Sequence, residues 1–156
     1  VTTVASTSAT GAGTVTVTGV DYGYEGLPES VPVGTTLVFE NESTMEVHEL
    51  VAIRLPDDET RPVSELVQLP PEELAAFFPG VETVLIAPPG AEGFAVEGTG
   101  ELTEPGRYAI ICVIPTGAVP DEYLEAAAEA EGGPPDVAGG PPHIANGMFG
   151  ELTVEG

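Results

Sequence analysis

The chain has 156 residues, an ordinary length for one domain and enough to bury most of the surface that its unfolded form would expose. It carries 26 acidic residues against three arginines and no lysine, for a formal net charge of −23. Because phosphate binding depends on clustered lysine and arginine, this composition excludes nucleic acid as a partner and disfavours anionic membrane surfaces. The acidity suits a solubilising surface for a salty medium, or a surface that docks a cationic partner.

Turn-forming residues are frequent, with 20 glycines and 16 prolines, and the apolar residues come in short runs between them. This pattern favours an all-β fold. The longest apolar run covers only residues 108–114, whereas a membrane-spanning helix needs roughly 20 apolar residues, so no span is expected. Residues 1–13 are rich in Ser, Thr, Ala and Gly and are predicted to be a flexible leader, suited to a tether.

The first predicted strand is Thr14–Val20, where Thr and Val alternate as in a half-buried strand. A segment punctuated by glycine and proline (DYGYEGLPESVPVG) then connects it to the second strand. The strand that follows the Pro105-Gly106 turn is apolar on both faces, which predicts a central position in its sheet. The other predicted strands are 35–41, 47–55, 82–87, Phe94–Glu97, 107–113 and Phe149–Glu155.

Two segments have a helical character. The stretch PPEELAAFF is predicted to hold a short helix that begins at proline with acidic residues in its first turn. Residues 120–131 (PDEYLEAAAEAE) have a helical pattern that ends at two glycines. The acidic face of this second helix is predicted to consist of Glu122, Glu125 and Glu129, and its apolar face of Leu124, Ala127 and Ala128.

The side chains that offer sulfur or imidazole to a metal are few. The chain has one cysteine, two histidines and two methionines, and a single cysteine cannot form an internal disulfide. Cys112 is therefore a core residue, a ligand or a reactive thiol. His48, Cys112, His143 and Met148 together offer two imidazoles, a thiolate and a thioether. A trigonal His₂Cys site with a long axial Met is the arrangement of blue-copper electron-transfer sites.

At these residues the sequence resembles the cupredoxins, the superfamily of plastocyanin and azurin. The matching stretches are GTTLVFEN from Gly34, then His48, then GRYAIIC ending at Cys112, and HIANGM from His143 to Met148. The resemblance covers roughly residues 14–156. It implies a single Greek-key β-sandwich domain with insertions at about 56–80 and 115–142, and one copper ion that alternates between Cu(I) and Cu(II).

Two features depart from the family pattern. Residues 113–142 separate Cys112 from His143, where familiar members have only a few residues. A helix of about twelve residues advances roughly 18 Å and an extended return can span about 35 Å, so the two ligands can still meet. Glu49 lies where many members carry Asn or another small polar residue that helps to hold the sulfur. An ionised carboxylate cannot donate that hydrogen bond.

The resemblance implies an exported, monomeric electron carrier, periplasmic or extracellular, that serves a redox partner protein and is not an enzyme. A copper storage or delivery protein and a metal-free β-sandwich for recognition are the alternatives. Cys112, His48 and His143 are buried structural residues in the metal-free alternative. Met148 is either the axial ligand or a core residue, with Met45 or an open axial position in its place. The acidic helix is expected to be a solvated lid over the edge of the site rather than a docking element.

Overall fold

The computed structural model describes residues 12–130, 135 and 137–156, so the predicted leader, 1–13, lies outside the described residues except at its end. The described residues contain nine strands and three short α-helices. The strands are β1 (Thr14–Val20), β2 (Gly23–Glu25), β3 (Ser30–Pro32), β4 (Thr36–Asn41), β5 (His48–Arg54), β6 (Val81–Ala87), β7 (Phe94–Glu97), β8 (Gly106–Ile111) and β9 (Phe149–Glu155). The helices are α1 (Val63–Leu66), α2 (Pro71–Ala75) and α3 (Pro120–Glu129), with 3₁₀ turns at Phe78–Gly80 and His143–Asn146.

The strands form two sheets that pack face to face. The smaller sheet has the order β2-β1-β4, and the larger has the order β3-β9-β8-β5-β6-β7. Strand β1 pairs parallel to β4, and β3 pairs parallel to β9. The other pairs are antiparallel. The predicted all-β sandwich is confirmed, and β8 lies inside its sheet between β5 and β9 as predicted.

The predicted strands agree with the structure within two residues at each end. Strands β2 and β3 were not predicted, because they lie in the segment predicted to be only a connection. Each has three residues, too few to show a period in the sequence. Their pairing partners define them instead, because β2 pairs with β1 and β3 pairs with β9.

The central strands of the larger sheet are buried on both faces. Its inner face packs against the smaller sheet, and Leu50 and Ile110 are fully buried there. Its outer face carries a second apolar cluster in which Ile53 and Ile111 pack with residues of α1, α2 and the first 3₁₀ turn. Burying a side chain of this size stabilises a fold by about 1.5–3 kcal/mol. The segment 56–80 therefore covers a sheet face that would otherwise expose apolar side chains.

Helix α3 packs through a face that overlaps the predicted apolar face and is centred on Tyr123. Tyr123 is 1% exposed and belongs to the core between the sheets, while Leu124 and Ala127 are partly buried against it. The prediction is wrong at Ala128, which is exposed. Tyr123, Leu124 and Ala127 share one helical stripe. The large ring of Tyr123 determines which stripe is buried, because it offers far more apolar surface than an alanine methyl group.

Candidate metal centre

Three strand ends and one 3₁₀ turn bring the predicted ligands to one end of the sandwich. His48 is the first residue of β5, and Cys112 directly follows β8. His143 opens the second 3₁₀ turn, and Met148 directly precedes β9. All four side chains are fully buried.

The closing turn between His143 and Met148 is held against the end of β8. The His143 N–H donates to the Ile114 carbonyl at 2.9 Å, and the Ile144 N–H donates to the Cys112 carbonyl at 3.0 Å. The Cys112 N–H donates in turn to the Met148 carbonyl at 3.3 Å. Gly147 ends the turn with a φ of 105°, a left-handed conformation that favours glycine.

The structure brings two imidazoles and the thiol into one cluster despite the thirty residues between Cys112 and His143. The Nδ1 atoms of His48 and His143 are 3.2 Å apart, and Cys112 Sγ is 3.3 Å from His143 Nδ1. One donor atom from each of the three residues lies within 4.8 Å of the other two. The terminal methyl group of Met148 packs beside Gly19, whereas Met45 is 77% exposed. Met148 is therefore the methionine that lies in the same buried region as the cluster.

The outer nitrogen of each imidazole contacts a carboxylate. His48 Nε2 is 2.8 Å from Asp21 Oδ1, and His143 Nε2 is 2.8 Å from Glu46 Oε1. Because an ionised carboxylate only accepts hydrogen bonds, each Nε2 carries the proton and each Nδ1 keeps a free lone pair. Two acceptor nitrogens then face each other in the protein interior, together with a sulfur.

A metal ion satisfies this arrangement. Two nitrogens bound at about 2.0 Å to one ion lie roughly 3.3–3.5 Å apart, close to the separation of the two Nδ1 atoms. Imidazole nitrogens combined with one thiolate suit a soft transition metal, and the set fits a single copper ion.

Burial controls the protonation of the ligands. It lowers the pKa of His48 and of His143, so the neutral ligand form is favoured, although the hydrogen bonds that the two rings donate to Asp21 and Glu46 oppose this shift. Burial, and then the charge of Glu49, raise the pKa of Cys112 well above its usual value. Hydrogen bonds from the Ile114 and Glu49 backbone N–H groups lower this pKa in part. Metal binding therefore has to displace the thiol proton.

The Glu49 carboxylate bonds to groups other than the Cys112 sulfur. It accepts the Val113 N–H at 3.0 Å and makes a weak contact with the Tyr123 hydroxyl at 3.5 Å. Burial raises the pKa of Glu49 to about 7. The side chain borders a cavity of about 200 Å³ that is also lined by Val51, Ile111, Val113 and Tyr123.

Sequence reasoning missed three residues around the cluster. Asp21 and Glu46 bind the imidazoles, and the ring of Tyr22 lies 5.0 Å from that of His143 and 6.2 Å from that of His48. Tyr22 thus covers the side of the cluster formed by the two rings. The sequence signal for Glu46 was its position two residues before a predicted ligand, since ligand histidines usually donate their second nitrogen to a neighbouring acceptor. Asp21 offered no comparable signal.

A β-sandwich that gathers two imidazoles and one thiol at its strand ends has the architecture of the cupredoxins. Solved structures agree at the level of the fold. The auracyanin of the photosynthetic bacterium Roseiflexus castenholzii, reduced with dithionite, is 22% identical with a TM-score of 0.53, over 94% of this chain and 100% of that one. The chain therefore has a cupredoxin fold.

Two further solved structures are similar. Auracyanin B is 20% identical with a TM-score of 0.49, over 93% of this chain and 90% of its own. Auracyanin A, a "blue" copper protein of the green thermophilic bacterium Chloroflexus aurantiacus, is 17% identical with a TM-score of 0.46, over 91% of this chain and 99% of its own. No protein-family model and no curated protein sequence matches the chain. Within the described residues, no helix is long and apolar enough to cross a membrane.

Proposed function

We propose that this protein is a blue (type 1) copper protein that carries single electrons between partner proteins. His48, Cys112 and His143 bind one copper ion, and Met148 is a weak axial ligand. The observation that carries this proposal is the convergence of the two Nδ1 lone pairs and the Cys112 sulfur, with both Nε2 atoms already engaged by carboxylates. A copper ion in such a site supplies one-electron chemistry by alternating between Cu(I) and Cu(II).

The residues around the ligands hold them nearly still. Backbone hydrogen bonds tie the closing turn to the end of β8, and the carboxylates fix the orientation of both rings. The Tyr22 ring and the core side chains limit the access of water. Ligands that move little between the two oxidation states favour rapid electron transfer. Full burial of all four ligand side chains argues against storage or delivery, which needs exchangeable ligands.

The setting of this activity is part of the proposal. Residues 14–156 form a single monomeric domain with insertions at about 56–80 and 115–142, and the protein is exported, periplasmic or extracellular. Residues 1–13, rich in Ser, Thr, Ala and Gly, are suited to a tether. The protein is an electron carrier rather than an enzyme, and the net charge of −23 favours a redox partner with a basic docking surface.

The test is an optical and EPR titration of the metal-free protein with Cu(II). We expect an intense visible band from charge transfer between the Cys112 thiolate and Cu(II), and Cys112→Ser should abolish it. Met45→Leu is the matched control, because Met45 is exposed and the variant should keep the band. A band that survived Cys112→Ser would contradict the proposed site. A colourless wild-type protein with Cu(II) would instead support the metal-free sandwich.

A further inference from the structure

Each imidazole of the cluster is bound on its outer side by a carboxylate that the ligand set itself does not require. We propose that Asp21 and Glu46 are positioning residues that orient the two ligand imidazoles and selectively stabilise the oxidised metal, with Glu46 the stronger of the two. The effect on the metal rests on the proposed copper function. The hydrogen bonds themselves are properties of the chain.

Glu46 is fixed on several sides. Its Oε1 accepts the Nε2–H of His143 at 2.8 Å and the backbone N–H of Gly117 at 3.0 Å. Its own carbonyl accepts the side-chain amide of Asn41 at 2.8 Å. The Glu46 side chain is 14% exposed, so water has little access to it. Because the Glu46 carboxylate is itself held in place, it fixes the orientation of the His143 ring.

Asp21 reaches His48 from a different part of the chain and is linked to Glu46 through Ser43. The Ser43 hydroxyl donates to Asp21 Oδ2 at 3.1 Å and accepts the Glu46 backbone N–H at 2.9 Å. Ser43 is itself buried. Ser43 thus connects the Asp21 carboxylate to the backbone of Glu46, and each of these two acidic residues supports one imidazole. The Asp21 side chain is 43% exposed, so its charge is better screened by solvent than that of Glu46.

These carboxylates act on the metal through the rings. An ionised acceptor makes a stronger hydrogen bond than a neutral one and raises the basicity of the ligating nitrogen. Cu(II) carries one positive charge more than Cu(I), so a nearby negative charge stabilises Cu(II) more. Removing the charge should therefore favour Cu(I) and raise the reduction potential. The less exposed Glu46 should have the larger effect.

The first experiment measures the reduction potentials of Glu46→Gln and Asp21→Asn, because each amide can still accept the hydrogen bond without the charge. For Glu46→Gln we expect the ratio of Cu(II) to Cu(I) affinity to fall about tenfold, a rise of about 59 mV in potential. Asp21→Asn should give a smaller rise. Glu42→Gln is the matched control, since this residue lies exposed in the same loop and carries the same charge. An unchanged potential in Glu46→Gln, or an equal rise in all three variants, would overturn the proposal.

The second experiment does not depend on electron transfer. Nitrogen-15 NMR of the Zn(II)-loaded protein should show a slowly exchanging Nε2–H on each histidine. Glu46→Gln should shift mainly the His143 signal, Asp21→Asn mainly the His48 signal, and Ser43→Ala both. Rapidly exchanging Nε2–H groups in the wild-type protein would overturn the proposed hydrogen bonds. Slow exchange in a protein that stays colourless with Cu(II) would support the hydrogen bonds and contradict the copper function instead.

Discussion

The buried carboxyl group of Glu49 should make the metal-free protein less stable as the pH rises. Burial raises the pKa of Glu49 to about 7, whereas a glutamate in the unfolded chain titrates near its ordinary pKa of 4.5. Between these two values the folded state keeps the proton and the unfolded state has released it. Stability contributed by the protonated group is therefore complete below about pH 4.5 and is lost as the pH rises through about 7. At about 1.4 kcal/mol per pKa unit, the loss is about 3 kcal/mol.

The substitution Glu49→Gln isolates this effect, because glutamine keeps the shape of the side chain and does not titrate. We expect the free energy of unfolding of the wild type, minus that of the variant, to fall by about 3 kcal/mol between pH 4.5 and pH 8. Burial raises the pKa of Tyr123 and of Cys112, so neither neighbour titrates in this range. The metal-free protein is required, because copper binding itself releases protons.

Urea denaturation at both pH values measures this difference, and salt should be added to screen the other acidic groups. Glu125→Gln provides the matched control, since it removes an exposed carboxylate from helix α3. Its stability difference from the wild type should not change with pH. A difference between wild type and Glu49→Gln that is flat in pH would show that the carboxyl group is hydrated in the folded protein. Water in the adjoining cavity would then be the physical reason.

Three other outcomes are expected. Met148→Leu should keep the copper but raise its reduction potential, measured by voltammetry, because a thioether donor to Cu(II) is lost; an unchanged potential and spectrum would make Met148 a core residue. Gly19→Ala should lower the free energy of unfolding, measured in urea, by about 1–3 kcal/mol. The added Cβ would lie 2.7 Å from Phe39 Cζ and 3.3 Å from Met148 Cε. Gly13→Ala is the control and should not destabilise the fold, because no atom lies within 4 Å of the Cβ added there. Electron transfer with a basic cytochrome should slow by about tenfold or more with added salt in stopped-flow measurements, and a rate flat in salt would assign the acidity to solubility.

The strands that the sequence predicted are those whose own residues show a period. Thr14–Val20 agrees at both ends, and Thr and Val alternate from Thr14 to Thr18 within it. The apolar faces of β5 and β8 likewise predicted burial, although the sequence did not show that the segment 56–80 provides the cover for the outer face. Strands β2 and β3 were not predicted, because their pairing with β1 and β9 defines them and their own residues show no strand pattern.

The same distinction applies to the site. The cysteine and the two histidines of the cluster could be singled out because their scarcity and their positions near strand ends are visible in the sequence. The carboxylates that hold the imidazoles are distant from them in the sequence. Asp21 and His48 are 27 residues apart, and Glu46 and His143 are 97 residues apart. With 26 acidic residues in the chain, composition offers no means to select these two. Glu46 could have been suspected from its position two residues before His48, but only the fold selects Asp21.

The long segment between Cys112 and His143 does not separate the two ligands in space. The residues with which the segment begins are hydrogen-bonded to the residues with which it ends. The Thr116 N–H donates to the Pro141 carbonyl at 2.9 Å, and Pro115 and Pro142 form a β-bridge. Nearer to the cluster, the closing turn hydrogen-bonds to Cys112 and Ile114. The spacing of the ligands is therefore set by this pairing and not by the number of residues in the inserted segment. Tyr123 of helix α3 contacts the buried Glu49 carboxylate, so the segment is also anchored beside the strand that carries His48.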